Sequence, residues 1–307
     1  MGTGALERRL RAGEFVITAE ITPPLSADPQ ALLDLALPLR DLADAVNLTD
    51  GASARAHLDV LTAASILARA GVEPVMQLTC RDRNRIALQS MLVGAAAQGV
   101  RNIMMLRGDS PQAGDQPDAK PVFDLDSNAL LATAASIRDR GQLPHGRVVG
   151  GNADFFLGAA DSPIDPPAGW VPESLQRKLA AGAQFVQTQF CMDAGVVRRY
   201  VERLREHGLA GKLFLLIGLA PLASARSARW IRHHLFGSII PDALVERLEA
   251  AADPKLEGQR ICIELMQQLQ RIEGVSGVHL MAPLNSGALP AVIGEFRSAT
   301  QAARLAV

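Results

Sequence analysis

Eight short apolar runs punctuate the chain, at residues 15–21, 45–48, 74–78, 102–106, 154–158, 185–188, 212–219 and 277–281. Most are continuous rather than alternating, the pattern of parallel strands covered on both faces. Between them apolar residues recur at helical spacing over 54–70, 85–98, 127–138, 172–181, 195–207 and 256–271, with an extra helix over 241–251. Strand–helix alternation implies a parallel sheet, closed or doubly wound. The runs number eight and none leads into Gly-x-Gly-x-x-Gly, which favours an α/β fold of the (β/α)8 TIM-barrel type. The chain of 307 residues is longer than the ~150 of an average domain, yet barrels of about 250 residues or more fold as one unit. No internal repeat or low-complexity tail divides it, so the expectation is one barrel over 1–307 without a regulatory domain.

Composition narrows the class. Apolar residues make up 48% and charged residues 21%, enough for a large core and too apolar for disorder. Aromatics are only 4%, so Leu, Val, Ile and Ala must build that core. A formal net charge of −1 offers no field for nucleic acid or anionic lipid. The longest uncharged apolar stretch, 213–223, is too short to span a bilayer and contains Gly218 and Pro221. Residues 1–14 lack the apolar core of a secretory signal. Cys80, Cys191 and Cys262 have neither zinc spacing nor an even count, which suggests a reducing, cytoplasmic setting and no metal site.

In a barrel the polar residues just past the strands form the active site. The first run carries Glu20, the second leads to Thr49-Asp50-Gly51-Ala52, and the third gives Gln77-Leu78-Thr79-Cys80-Arg81-Asp82-Arg83-Asn84. The fourth leads to Arg107-Gly108-Asp109, the fifth to Ala159-Ala160-Asp161, the sixth carries Gln187, Thr188 and Gln189, and the eighth leads to Asn285. Glu20 is the sharpest of these. A carboxyl inside an apolar strand is costly to bury ionised, and one that keeps its proton can donate it to a leaving amine; the alternative is a structural Glu at the rim. Asp109 suits a cationic substrate or a turn cap, and Gln189 suits a heterocycle edge or a tie between loops. Asp82 and Asn84 stand where a helix begins and would cap it, while Arg81 and Arg83 could face phosphates. No Ser/His/Asp or Cys/His set is evident, and of six histidines only His279, inside the eighth run, lies close to a strand's carboxyl end. Segments 112–121 and 161–172, rich in Pro, Gly and Asp, follow the fourth and fifth runs as lids, cofactor clamps or plain surface insertions. Such a site binds and transfers, and leaves the redox or one-carbon group to bound molecules.

Along roughly 15–304 the chain resembles the methylenetetrahydrofolate reductase family. Glu20-Ile21-Thr22-Pro23-Pro24 is similar to its Glu-x-x-Pro-Pro, whose Glu is the acid, and Arg107-Gly108-Asp109 to its Arg-Gly-Asp. Ala181-Gly182-Ala183 and Thr188-Gln189-Phe190 resemble its Ala-Gly-Ala and Thr-Gln-Phe segments. The tract 79–84, with Leu88-Gln89-Ser90 and Val122-Phe123-Asp124-Leu125-Asp126-Ser127, resembles a branch that includes reductase modules fused to homocysteine methyltransferases.

The resemblance implies a flavin enzyme in which NADH or NADPH reduces FAD and leaves. 5,10-Methylenetetrahydrofolate then takes the hydride to become 5-methyltetrahydrofolate. It implies Glu20 as general acid, Asp109 at the pterin and near the flavin, and Gln189 at pterin or nicotinamide in turn, with Asn285 also toward substrate. Thr49 matches a nucleotide contact, and Arg177 and Lys178 match basic residues near the flavin phosphates. Asp50, Ala52, Gln77, Arg81, Arg107, Gly108 and Ala160 fall at further cofactor-binding positions. Four departures from the best-studied members alter these contacts: Gln77 for His, Asp50 for Tyr, Ala159-Ala160-Asp161 for Tyr-Pro-Glu, and Ala225 where a stacking Phe is expected. Direct hydride transfer without flavin, a pterin-dependent methyl-transfer barrel and a non-catalytic folate-binding subunit stay open, as does a homo-oligomer. The absent regulatory domain implies no inhibition by S-adenosylmethionine.

Overall fold

The computed structural model describes residues 4–283 and 285–305, and the side chains through residue 302. Eight parallel strands close into a barrel in chain order. They are β1 (Val16–Ile21), β2 (Ala45–Leu48), β3 (Pro74–Thr79), β4 (Asn102–Leu106), β5 (Phe156–Asp161), β6 (Phe185–Phe190), β7 (Phe214–Leu219) and β8 (Gly277–Leu280). The seam is β8 against β1, with Thr18 opposite His279. The eight runs and the closed barrel agree with the sequence reading. The fifth strand differs: it starts at Phe156 rather than 154 and runs on through Ala159, Ala160 and Asp161, because Ala160 pairs with Gln187 and Asp161 with Thr188 of β6. Alanine has little strand preference of its own, and the pairing overrides it.

The helices are α1 (Ala5–Arg11), α2 (Pro29–Ala36), α3 (Val60–Arg69), α4 (Arg85–Ala97), α5 (Ser127–Arg140), α6 (Glu173–Ala180), α7 (Ala194–Glu206), α8 (Ala225–His234), α9 (Asp242–Ala250), α10 (Pro254–Leu269) and α11 (Leu289–Leu305). Several of their starts follow side-chain caps. Asn84 accepts from Ala87 N–H at the head of α4, and Asp126 from Ala129 N–H at the head of α5. Helix α3 begins at Val60 rather than 54, since Asp59 caps it. Helix α8, too Arg-rich to stand out by apolar spacing, is set by a Ser224–Ser227 capping box. None of the described helices is long and apolar enough to cross a membrane.

The barrel wall separates two cores, and the period of two along each strand decides which residue joins which. Ile17, Val46, Met76, Ile103, Leu157, Val186, Ile217 and Val278 face the surrounding helices. Val16, Ala45, Val75, Met104, Phe156, Phe185 and Leu216 fill the interior, with Leu6 and Leu10 of α1 packed into the same cluster. Gly158 is required here, since a Cβ would collide with the ring of Phe185. One step up, the interior turns polar on five of the strands: Thr18, Asn47, Gln77, Gln187 and His279 are all buried. One step further come Glu20, Thr49 and Gln189.

Candidate active site

The carboxyl ends of the strands open into a cleft of about 750 Å³, with a second lobe of about 490 Å³. The lobes share Glu20, Gln77, Ala160 and Gln189 as walls. The larger lobe also meets Thr49, Asp50, Ala52, Arg81, Arg107, Gly108 and Asp109, and the smaller one Lys178. Most of the residues singled out in the sequence therefore converge. Arg177, Asn285 and Arg83 do not: Arg177 is exposed, Asn285 donates to the Pro221 carbonyl at 3.2 Å, and Arg83 is paired with Asp50, all outside the walls of the two lobes.

Glu20 tops β1 with its side chain 22% exposed, so its carboxyl meets both the barrel interior and the cleft. Gln77 Nε2 donates to its Oε2 at 2.6 Å. His279 Nε2 stands 3.5 Å from the same oxygen. Gln77, at a cofactor-binding position by resemblance, thus spends an amide proton on the carboxyl instead. His279, noted in the sequence near a strand's carboxyl end, has no role assigned to it there. Its signal was a polar residue inside an apolar strand, the same signal that marked Glu20.

Other charged residues neutralise one another. Asp50 is buried and accepts from Arg83 Nη1 at 2.7 Å, Arg83 Nη2 at 3.1 Å, Thr79 N–H at 2.9 Å and the Thr79 hydroxyl at 3.0 Å. Arg81 forks onto Asp82 at 2.8 and 2.7 Å and reaches the Gly51 carbonyl at 3.2 Å. Asp82 thus holds Arg81 rather than capping α4. Lys178 donates to the Ala160 carbonyl at 2.5 Å and to Asp161 at 3.2 Å. Tyr200 donates its hydroxyl to the other oxygen of Asp161, and burial together with that carboxylate raises the phenol well above its ordinary pKa. Cys80, beside Arg81, is an inert thiol: burial pushes it up to about 11. Among the described residues no group of three His, Cys, Asp or Glu is placed to hold a metal ion.

Some groups stay available. Thr49 Oγ1 is buried without a hydrogen-bond partner among the described residues, and Thr49 lines the cleft. Asp109 is exposed on the rim, after Gly108 at φ 88. Strand β6 shifts register against β7 between Gln187 and Phe190, the kind of irregularity that re-aims a side chain. Gln189 there accepts from the Phe190 N–H at 3.0 Å, which leaves its NH2 for a ligand.

The loops are stapled around this opening. Arg107 lies 4.7 Å over the Phe123 ring, Val122 N–H donates to the Arg81 carbonyl at 2.7 Å, and Asp124 takes the Arg85 guanidinium at 2.7 and 2.8 Å. The tract 122–127 therefore has a structural use at each of these positions. Asp165 pairs with Arg199 at 2.7 Å, and Trp170 packs on Tyr200, which anchors the second long loop to α7. Ser53 and Ala54, both at φ 54, and Phe123 at φ 42 hold left-handed backbone beside the opening. Such strain costs about 1–3 kcal/mol per residue and gathers at ligand sites. Phe236 is 93% exposed on the rim, an aromatic that sequence position alone does not assign to the cleft.

The family model described as methylenetetrahydrofolate reductase matches residues 5–296. The 5,10-methylenetetrahydrofolate reductase of Pectobacterium carotovorum subsp. carotovorum is 26% identical over 281 residues, 87% of this chain and 85% of that protein. The probable methylenetetrahydrofolate reductase (NADPH) of Caenorhabditis elegans is 26% identical over 239 residues, and the chain spans 33% of its length. A solved structure of an uncharacterized protein from Clostridium thermocellum, which binds two copies of 5-methyl-5,6,7,8-tetrahydrofolic acid, shares the fold with a TM-score of 0.65 at 12% identity, over 95% of this chain and 98% of that one. The family match runs from α1 into α11 and takes in all eight strands, and the chain belongs to the methylenetetrahydrofolate reductase family.

Proposed function

We propose that this chain reduces 5,10-methylenetetrahydrofolate to 5-methyltetrahydrofolate with NADH or NADPH, through FAD, with Glu20 as general acid. The observation that carries this reading is the Glu20 carboxyl, half-buried at the top of β1 and held by Gln77 where both lobes of the cleft meet. Glu20 gives its proton to the nitrogen that leaves the methylene bridge. The breaking C–N pair stays on that nitrogen, and the remaining nitrogen and methylene carbon form an iminium. FAD, held by the Thr49 hydroxyl, Arg107 and the Gly108 backbone, would supply hydride chemistry to this carbon, with NADH or NADPH as the source of the electrons. Gln77 steadies the resulting carboxylate, which regains a proton from water in the open cleft. Asp109 and the Gln189 amide hold the pterin edge. That a protein of this fold binds 5-methyltetrahydrofolate is in keeping with the choice of ligand.

The cleft fits a flavin. Its volume lies in the ligand-pocket range of about 300–1,000 Å³. The unpartnered Thr49 hydroxyl is suited to a nucleotide oxygen, Gly108 permits close backbone approach, and Arg107 on the wall of the larger lobe supplies positive charge. One observation favours a second reading, direct transfer from nicotinamide to the iminium: Asp50, Arg81 and Arg83 are spent on other protein groups. Losing two or three contacts worth about 1 kcal/mol each would weaken FAD by roughly 100-fold. The test is the absorption of purified protein between 350 and 500 nm, followed by FAD titration under assay. The expected result is partial flavin content and activity that rises saturably with FAD. Colourless protein working at full rate, unmoved by FAD, would establish direct transfer. No turnover with either nicotinamide, with or without FAD, would sink the reductase assignment.

A further inference from the structure

A chain of buried hydrogen bonds runs beneath the cleft and ends at His279, whose Nε2 stands 3.5 Å from Glu20 Oε2. Asn47 and Gln187 exchange amide bonds, Nδ2 to Oε1 at 2.6 Å and Nε2 to Oδ1 at 3.0 Å. Gln187 Nε2 also donates to Thr18 Oγ1 at 2.9 Å. Having accepted there, Thr18 has one proton to give. Its hydroxyl lies 2.9 Å from His279 Nδ1 and 3.4 Å from the Val278 carbonyl, so the shorter contact takes it. With Nδ1 accepting from Thr18, the ring N–H lies on Nε2, the nitrogen facing Glu20 Oε2. Gln77 Nε2 donates to that same oxygen. No hydrogen bond from the described residues reaches Oε1.

We propose that Gln77 and His279 are positioning residues that hold Glu20 Oε2 with two N–H groups, so that the proton Glu20 delivers rides on Oε1. A proton on Oε2 would face two donors, and only Oε1 is free of that conflict. The same donors favour the carboxylate left after transfer, with the His279 contact of 3.5 Å tightening as charge develops. The clamp rests on the reading of Glu20 as general acid. It gives Gln77 a use at a position first read as a cofactor contact. Other charges reach the walls around Glu20: Lys178 and Asp161 across the smaller lobe, Asp109 and Arg107 on the rim, and Asp50 and Arg81 in the larger lobe. Lys178–Asp161, Asp50–Arg83 and Arg81–Asp82 are mutually paired, so neither substitution below alters them.

The test is a carboxyl titration that needs no folate. Protein labelled with ¹³C at the Glu side-chain carboxyl is titrated by NMR, and the Glu20 signal is identified by its loss in Glu20→Gln. Gln77→Met keeps the length and removes the donor, and His279→Phe keeps the bulk and removes the ring N–H. The donors favour the charged form, so removing them keeps the proton on to higher pH. The midpoint should rise in Gln77→Met and rise by less in His279→Phe, whose contact with Oε2 is the longer one. Gln77→His, which keeps a donor, should stay closer to wild type. Circular dichroism checks that each variant is folded, and Gln77→Met alone decides the matter if His279→Phe is not. A midpoint unmoved by Gln77→Met overturns the clamp. The high-pH limb of methylenetetrahydrofolate reduction should move up in step with the titration. Turnover with an unmoved titration refutes the clamp and keeps the proposed function; a moved titration without wild-type turnover does the reverse.

Discussion

At the amino ends of the strands the barrel has a cleft of about 690 Å³, lined by Arg9, Arg40, Arg101 and Arg297; at the carboxyl ends the main cleft is about 750 Å³. Size does not distinguish the two. The state of their polar groups does. At the amino end Asp44 is buried and accepts from Ile17 N–H at 2.7 Å and Arg9 at 2.7 Å, with Arg297 at 3.0 Å. Arg101 pairs with Asp154, and Leu6 and Leu10 of α1 are buried with the interior core. At the carboxyl end the Thr49 hydroxyl and one oxygen of Glu20 lack partners among the described residues, Phe236 is exposed, and the backbone is strained. The amino end spends its buried carboxylate and its arginines on one another, although Asn102 Oδ1 there is buried without a partner among the described residues. The carboxyl end keeps the Thr49 hydroxyl and a Glu20 oxygen in reserve for a ligand, beside strained backbone and an exposed aromatic.

The largest effect should come from the carboxyl end. Glu20→Gln removes the acid and keeps the shape, so methylenetetrahydrofolate reduction should fall by about 10²–10⁴. The melting temperature should barely change, and reduction of bound flavin by NADH or NADPH should persist, since only the folate step needs the proton. Stopped-flow measurement of the two half-reactions checks this, and equal loss of both would make Glu20 structural and erase the contrast between the ends.

The amino end should answer in stability. Asp44→Ala orphans the buried Ile17 N–H and separates Arg9 and Arg297 from their shared carboxylate. Both arginines are partly exposed, so water offsets some of the loss, and the cost should be about 2–3 kcal/mol rather than that of a fully buried pair. Denaturant unfolding measures it. The folded variant should keep its kcat, and a large loss of turnover below the unfolding transition would show the two ends to be coupled.

The smallest effect is local and depends on acid. The Arg85 guanidinium and backbone N–H hold the Asp124 carboxyl down at about 2, below its ordinary 3.8. A lowered carboxylate contributes above its ordinary range and loses that contribution as pH falls through the folded value. The staple between tract 122–127 and the head of α4 should therefore persist at pH 5 and loosen as pH falls from about 4 to 2. Amide exchange at Arg85 and Val122 reports it. Asp124→Asn should exchange faster at pH 5 and lose the acid dependence; identical behaviour in variant and wild type would show that the staple contributes nothing.

Much of this was legible in the sequence, and the boundary has a physical cause. Continuous apolar runs, helical spacing and the absence of a dinucleotide fingerprint pointed to the barrel, because each is local. Glu20, Asp109 and Gln189 could be named because a polar residue at a strand end keeps that place in any closed barrel. The partners could not be named. Gln77 meets Glu20 across 57 residues, Gln187 meets Thr18 across 169, and His279 meets Thr18 across 261. The period of two tells which residues point inward, but the register between strands decides which of them stand level. By itself the sequence determined the alternation of elements, the depth of each polar residue along its strand and the family motifs. Only the tertiary structure decided that Asp50 is neutralised by Arg83, that Lys178 is held by Asp161 and that His279 reaches the acid, because the first needs β2 and β3 side by side, the second needs α6 packed back on β5, and the third needs β8 to close on β1.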